Sequence, residues 1–486
     1  MWIIGAAVAV VAAFVVSAVR FDLFSDADYP SAWDSRLGDL PAKVEKLRGL
    51  RFEHPVPVRF LNEADFKKEV GVDPEPSKRR RQKMERFTES LRALGLVTGE
   101  VDLLKSIDDE QQSGVLAFYS PEDEEIVVRG TGTPDAARRV TLAHELTHVL
   151  QDQHFDLDRI EERVGKDPEG SSDALRAVIE GDAVRIEDRY VEQLSRADQK
   201  SYDQGREREQ RRAESGTRDV PAIVDLQFSA PYRYGPPVLD VLAAEGGNDN
   251  VNRAFRRGVF TQKLFIEPSA PLSDAKPLRV AAPKVGRGEK RIEKPDTFGA
   301  FDLYLVLASR LPAGDALGVA TKWAGGRMIT YRADGKTCVR AALRARTAAG
   351  RRELAENLRL WAASLPPGQA TIGSRGPAIT LDACDPGPAA TTDAPDLALT
   401  RAGDLLDIHG ELEAGIAQEA HDAGAPPSTA RCFALEIARS AEIAELLEQD
   451  EEDVTPKMAR RAVNRAGERA AETCLKVPEL NVTEHR

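Results

Sequence analysis

Residues 133–155 read TPDAARRVTLAHELTHVLQDQHF, and the rest of the chain is read outward from this stretch. Its opening marks a helix start. Thr133 can serve as N-cap, Pro134 fits the first helical position, and Asp135 puts a carboxylate in the positive first turn. The helix is expected to run to about Gln153. Inside it, residues 144–148 spell His-Glu-Leu-Thr-His. Side chains four apart on a helix lie one above the other, so His144 and His148 can direct two imidazole nitrogens at one metal ion. Glu145, one step round, reaches a water on that metal. The bland alternative, two histidines that merely pack, is weak in a chain with 7 His among 486 residues.

Two histidines do not hold a catalytic zinc alone. A third protein ligand is required, and the fourth position goes to water. An HExxHxxGxxH arrangement is excluded, because the third residue after His148 is Gln151 rather than Gly, although His154 stands at the sixth. Glu180, in Val178-Ile179-Glu180-Gly181-Asp182-Ala183, fits better. It lies within a second predicted helix that begins near Ser171, Ser172 and Asp173 and carries an apolar stripe at Leu175, Ile179, Ala183, Ile186, Tyr190 and Leu194. A carboxylate in an otherwise buried helix needs a partner.

These residues resemble a gluzincin, the zinc peptidase group whose third ligand is a glutamate on a second helix downstream of HExxH. His144, Glu145 and His148 match the first helix, and Glu180 in its EGDA context matches the second. Leu150 to Phe155 and Tyr190 are also similar to exported bacterial neutral zinc metallopeptidases of this kind. The likeness covers residues 115–195 and extends more faintly to 335. It implies an α+β fold with a zincin-like catalytic domain, Zn2+ held by His144, His148 and Glu180, and Glu145 as the general base of peptide-bond hydrolysis. A peptide or protein substrate would lie extended against the strand Ile126 to Val128. Thermolysin-like members carry an acid four residues after the ligand Glu to orient a histidine, and here that position is Val184. Asp152 and Glu187 are the substitutes available for that role. Tyr232 and Tyr234, in Pro231-Tyr232-Arg233-Tyr234-Gly235, are candidate donors to the oxyanion, against the ordinary reading that tyrosines beside Pro and Gly buttress a turn. His409 and His421 are weaker candidates, in the terminal helical region. Two other functions compete: an inactive zincin-like scaffold that binds a cell-envelope partner, and a zinc hydrolase acting on a non-peptide amide.

A chain of 486 residues exceeds what one core usually organises. The expected division is an apolar segment over 1–20, a stalk over 21–55, the metallopeptidase domain over 56–297 and a small α+β unit over 298–385. A linker over 386–395, rich in Pro, Gly, Ala and Thr, leads to a C-terminal helical region over 396–486. Val56 to Leu61 alternates as a strand, and Val115 to Tyr119 with Ile126 to Val128 reads as a hairpin. Residues 199–218 are almost wholly polar and predict an exposed connector. Helical patterns follow at Tyr234 to Ala244 and Phe298 to Trp323. Beyond them come strands at Met328 to Arg332, at Cys338 and ending at Cys384, a helix from Glu353 to Leu365, and three terminal helices.

A net charge of −13 argues against a nucleic-acid surface. The basic run Lys78, Arg79, Arg80, Arg81 and Lys83 reads as the solvated face of a helix whose apolar side is Met84, Phe87, Leu91 and Leu94. Trp2 to Val19 is apolar and about long enough to cross a bilayer, as an uncleaved anchor or as a signal peptide cut after Ser17 and Ala18. The acidic residues Asp22, Asp26 and Asp28 that follow favour export. The expectation is a single-pass membrane protein with an extracytoplasmic catalytic domain, or a secreted one. In an exported chain, Cys338, Cys384, Cys432 and Cys474 read as disulfides. The favoured pairing of three is 338 with 384 and 432 with 474.

Overall fold

The computed structural model describes residues 29–69, 77–107, 115–217, 220–257, 260–272, 275–390, 393–449 and 453–475. The chain is mixed α+β, with two sheets set among many helices. Helix α1 (Leu40–Arg48) comes first, with Pro41 in its first turn and Gly49 in the left-handed region closing it. Strand β1 (Val58–Leu61), α2 (Glu63–Glu69), α3 (Lys78–Ala93) and the hairpin β2 (Ala117–Ser120) and β3 (Glu125–Arg129) follow. β3 pairs parallel with β1 and antiparallel with β2, so both of its edges are filled. This corrects the placement of a substrate against Ile126 to Val128: the free edge next to the histidine helix belongs to β2.

Helix α4 (Ala136–Phe155) carries both histidines. Its N-cap is Asp135, whose carboxylate accepts from the Arg138 N–H, rather than Thr133 two residues earlier. α5 (Leu157–Lys166) leads to α6 (Ser172–Val191), where Ser171 caps by accepting from the Ala174 N–H. The polar stretch forms α7 (Arg196–Thr217), which packs on α4 and buries Tyr202. Next comes α8 (Ala222–Arg257), bent at Gly246 and Gly247. α6 and α8 cross at backbone contact. A Cβ on Gly181 would fall 2.4 Å from the Gly235 carbonyl carbon, and one on Gly235 would fall 2.2 Å from the Ala177 oxygen. The glycines of the EGDA and YRYG stretches therefore share one job: they let the two helices touch.

A short α9 (Lys263–Ile266) leads to the second sheet, built from β4 (Lys290–Arg291), β5 (Asp296–Thr297), β6 (Trp323–Ala333), β7 (Lys336–Ala345), β8 (Ala370–Arg375) and β9 (Ala378–Cys384). All its pairings are antiparallel, in the order β4-β6-β7-β9-β8 with β5 also on β6. The helix expected over Phe298 to Trp323 is two helices, α10 (Ala300–Ala308) and α11 (Ala313–Ala320), separated at Pro312, and Trp323 already belongs to β6. α12 (Ala348–Ala363) links β7 to β8. Four terminal helices stand where three were expected: α13 (Asp396–Asp422), α14 (Pro427–Ala438), α15 (Ala441–Leu447) and α16 (Pro456–Cys474). α13 lies along α8, and the hydroxyls of Tyr304 and Tyr234 donate to the carbonyls of Ala402 and Gly403. One apolar core runs from Leu91 of α3 to Ala470 of α16 and takes in residues on both sides of position 297 and of the stretch 386–395. A second joins α1, the first sheet and α4.

Disulfides Cys338–Cys384, between β7 and β9, and Cys432–Cys474, between α14 and α16, follow the expected pairing. They fit an extracytoplasmic or secreted protein. The membrane expectation is corrected. Trp2 to Val19 lies outside the described residues, and among the described residues no helix is long and apolar enough to cross a membrane. Neither the anchor nor the single-pass localisation is carried forward.

Candidate metal centre

The packing of α4 against α6 brings His144, His148 and Glu180 together at 1, 2 and 0 % exposure. Glu180 Oε2 lies 3.2 Å from His144 Nε2 and 3.3 Å from His148 Nε2, and one ligand atom from each residue lies within 4.8 Å of the others. The His148 contact is close but not aligned as a hydrogen bond: His148 Nε2 and Glu180 Oε1 are both buried without a partner. Unpaired buried polar atoms cost about 1–3 kcal/mol each. One cation facing two imidazole nitrogens and a carboxylate would satisfy both atoms. A His2Glu donor set suits zinc, with a position left for water.

The electrostatics of the cluster run the same way. Burial disfavours charge on both imidazoles, but carboxylates overcome it. Glu180 and Glu187 on the two nitrogens of His144 raise that histidine's pKa, and Glu180 raises that of His148. Burial alone would raise Glu180, yet the two histidines hold it below the ordinary carboxylate range. The triad favours positive charge at its centre whether protons or a metal ion supply it.

The other ring nitrogens are held by partners that fix the tautomers. His144 Nδ1 lies 3.1 Å from Glu187 Oε2, to which it donates, so Glu187 occupies the role opened by Val184. Asp152 does not: it accepts from the Tyr119 hydroxyl and the Leu157 N–H and touches neither histidine. For His148 the partner is Gln151 Oε1, at 2.9 Å. Gln151 Nε2 donates to the Ile179 carbonyl and to Asp182 Oδ2, both acceptors, so the amide orientation is forced and His148 Nδ1 must carry the proton. Asp182 is in turn neutralised by Arg48 of α1, whose Nε lies 2.7 Å from Oδ2, with both side chains at 0 % exposure. The relay Arg48, Asp182, Gln151, His148 went unread in the sequence. Gln151 could have been found, three residues after His148 on the same helix, but nothing in the local pattern marks Arg48.

Glu145 is fully buried, and its Oε2 accepts from the Tyr119 N–H on the outer edge of β2, while Oε1 has no partner. Burial pushes its carboxyl up to about 7. No family model, no curated protein and no solved structure matches this chain. The functional reading therefore rests on the site. Tyr232 stacks beside His144, ring centroids 6.3 Å apart. Tyr234 points away from the site and packs against Phe265 and Phe301, so of the two candidates only Tyr232 stands at the cluster. His409 is buried on α13 against the Ile266 carbonyl. His421 sits in the last turn of the same helix.

Proposed function

We propose that this chain is a zinc-dependent peptidase on a zincin-like pair of helices, with His144, His148 and Glu180 as metal ligands and Glu145 as general base. The observation that carries the reading is the convergence of three buried ligand atoms with a carboxylate between the two histidines on the same helix. Zinc at these ligands would supply Lewis acidity for a water and a scissile carbonyl. Glu145 Oε1 is the oxygen available to take a proton from the attacking water and return it to the leaving nitrogen. The Tyr119 hydrogen bond aims Glu145 at the β2 edge, where an extended peptide would add as a further strand. Tyr232 is the candidate donor to the developing oxyanion.

The test is hydrolysis of a peptide panel and a matched set of non-peptide amides by the zinc-loaded chain. Glu145→Gln is expected to keep its metal and lose turnover by a factor on the order of 10²–10⁴. The near-complete burial of all four groups favours one second reading: a closed metal centre that stabilises the fold without turnover. Zinc would then raise the melting temperature while neither panel is cleaved.

A further inference from the structure

Away from the metal centre, α9, the residues that follow α11, α13 and α14 line an open cavity of about 260 Å³. Its polar lining comes from Lys263, Glu267, Thr321, Lys322, His409 and Arg431. Three cations face one carboxylate. Glu267 Oε2 lies 3.2 Å from Lys263 Nζ and 3.4 Å from Arg431 Nη1, so a single acid is shared by two bases. Lys322 has no carboxylate within ion-pair distance among the described residues. Its two lysines and one arginine against one glutamate leave two positive charges beyond the acid, in a chain whose net charge is −13.

The buried end of the cavity adds a directional group. His409 Nε2 lies 2.9 Å from the Ile266 carbonyl and therefore carries a proton, while Nδ1 is buried without a partner. Glu413 Oε2 lies 3.6 Å from His409 Nε2 and is itself without a hydrogen bond. None of these residues serves the metal centre.

We propose that this cavity binds a small dianion of the phosphate type, free or carried on a small organic molecule, between Lys322, Arg431 and Lys263. Excess positive charge in a concave, partly desolvated site concentrates small anions, and charge-assisted hydrogen bonds from Lys and Arg suit phosphate oxygens. The negative charge of the whole molecule repels a polymeric polyanion, and the volume admits a group many times the size of one water but no polymer. The site is independent of the peptidase reading.

The experiment is calorimetric titration of the full chain with inorganic phosphate at constant ionic strength. Saturable binding to one site is expected. Lys322→Gln and Arg431→Gln should each weaken it about tenfold or more. Lys284→Gln, an exposed lysine outside the cavity, should leave it unchanged. Thermal unfolding of the two cavity variants should match the parent, which separates lost binding from lost fold. Absence of saturable binding overturns the proposal. So does equal affinity in the parent and both cavity variants, including the case in which phosphate binds the metal centre and is lost instead in Glu180→Ala.

Discussion

Replacing Arg48 with methionine would take from Asp182 its closest charged partner where water does not reach. The guanidinium and the carboxylate are both at 0 % exposure and meet at 2.7 Å, so the substitution keeps most of the apolar volume but strands one charge. Removing one partner of a buried pair costs about 3–5 kcal/mol. Asp182 keeps the Gln151 amide at 3.1 Å and Arg185 at 3.7 Å, which places the expected loss near the lower end, about 3 kcal/mol. Urea unfolding followed by circular dichroism measures it. The double variant Arg48→Met with Asp182→Asn removes the stranded charge and retains an acceptor for Gln151, so it should recover most of the loss. A cost below about 1 kcal/mol for the single variant, or a double variant as damaged as the sum of its parts, would refute the claim that α1 is tied to the metal-site helices through this pair.

Gln151→Leu removes the acceptor for His148 Nδ1 and should weaken zinc binding by roughly 10–100-fold in a chelator competition. Gly181→Ala should prevent a stable fold, because its Cβ would sit 2.4 Å from Gly235; circular dichroism and yield of soluble protein check this. Burial raises the Asp302 carboxyl to about 7, above its unfolded value. Its contribution to stability is full at acid pH and is lost as pH rises through about 7. Asp302→Asn should therefore flatten the fall in melting temperature between about pH 4 and about pH 7.

The parts of the site written in local sequence were legible before any coordinates. HExxH on a capped helix and Glu180 in a buried helix stripe both rest on the helical repeat, which sequence displays directly. The cysteine pairing was legible on another ground, since each disulfide joins sequence neighbours, closing a separation of 46 or 42 residues within one stretch of the chain. What sequence did not display depends on packing between distant segments. Arg48 reaches Asp182 across 134 residues. β3 became an interior strand because β1, far upstream, pairs with it. Tyr232 and Tyr234 looked alike in sequence, and only the crossing of α6 with α8 turned one toward His144 and the other toward α13. Asp152 looked suited to a histidine by spacing, but the Tyr119 hydroxyl claimed it.

The most direct test of the metal centre is elemental analysis of the purified chain after exposure to zinc and exhaustive dialysis, alongside Glu180→Ala and Glu145→Ala. The account predicts about one zinc per chain in the parent and in Glu145→Ala, and close to none in Glu180→Ala, because Glu180 supplies one of three protein ligands and Glu145 none. A parent that retains no zinc, or a Glu180→Ala variant that retains as much as the parent, would contradict it.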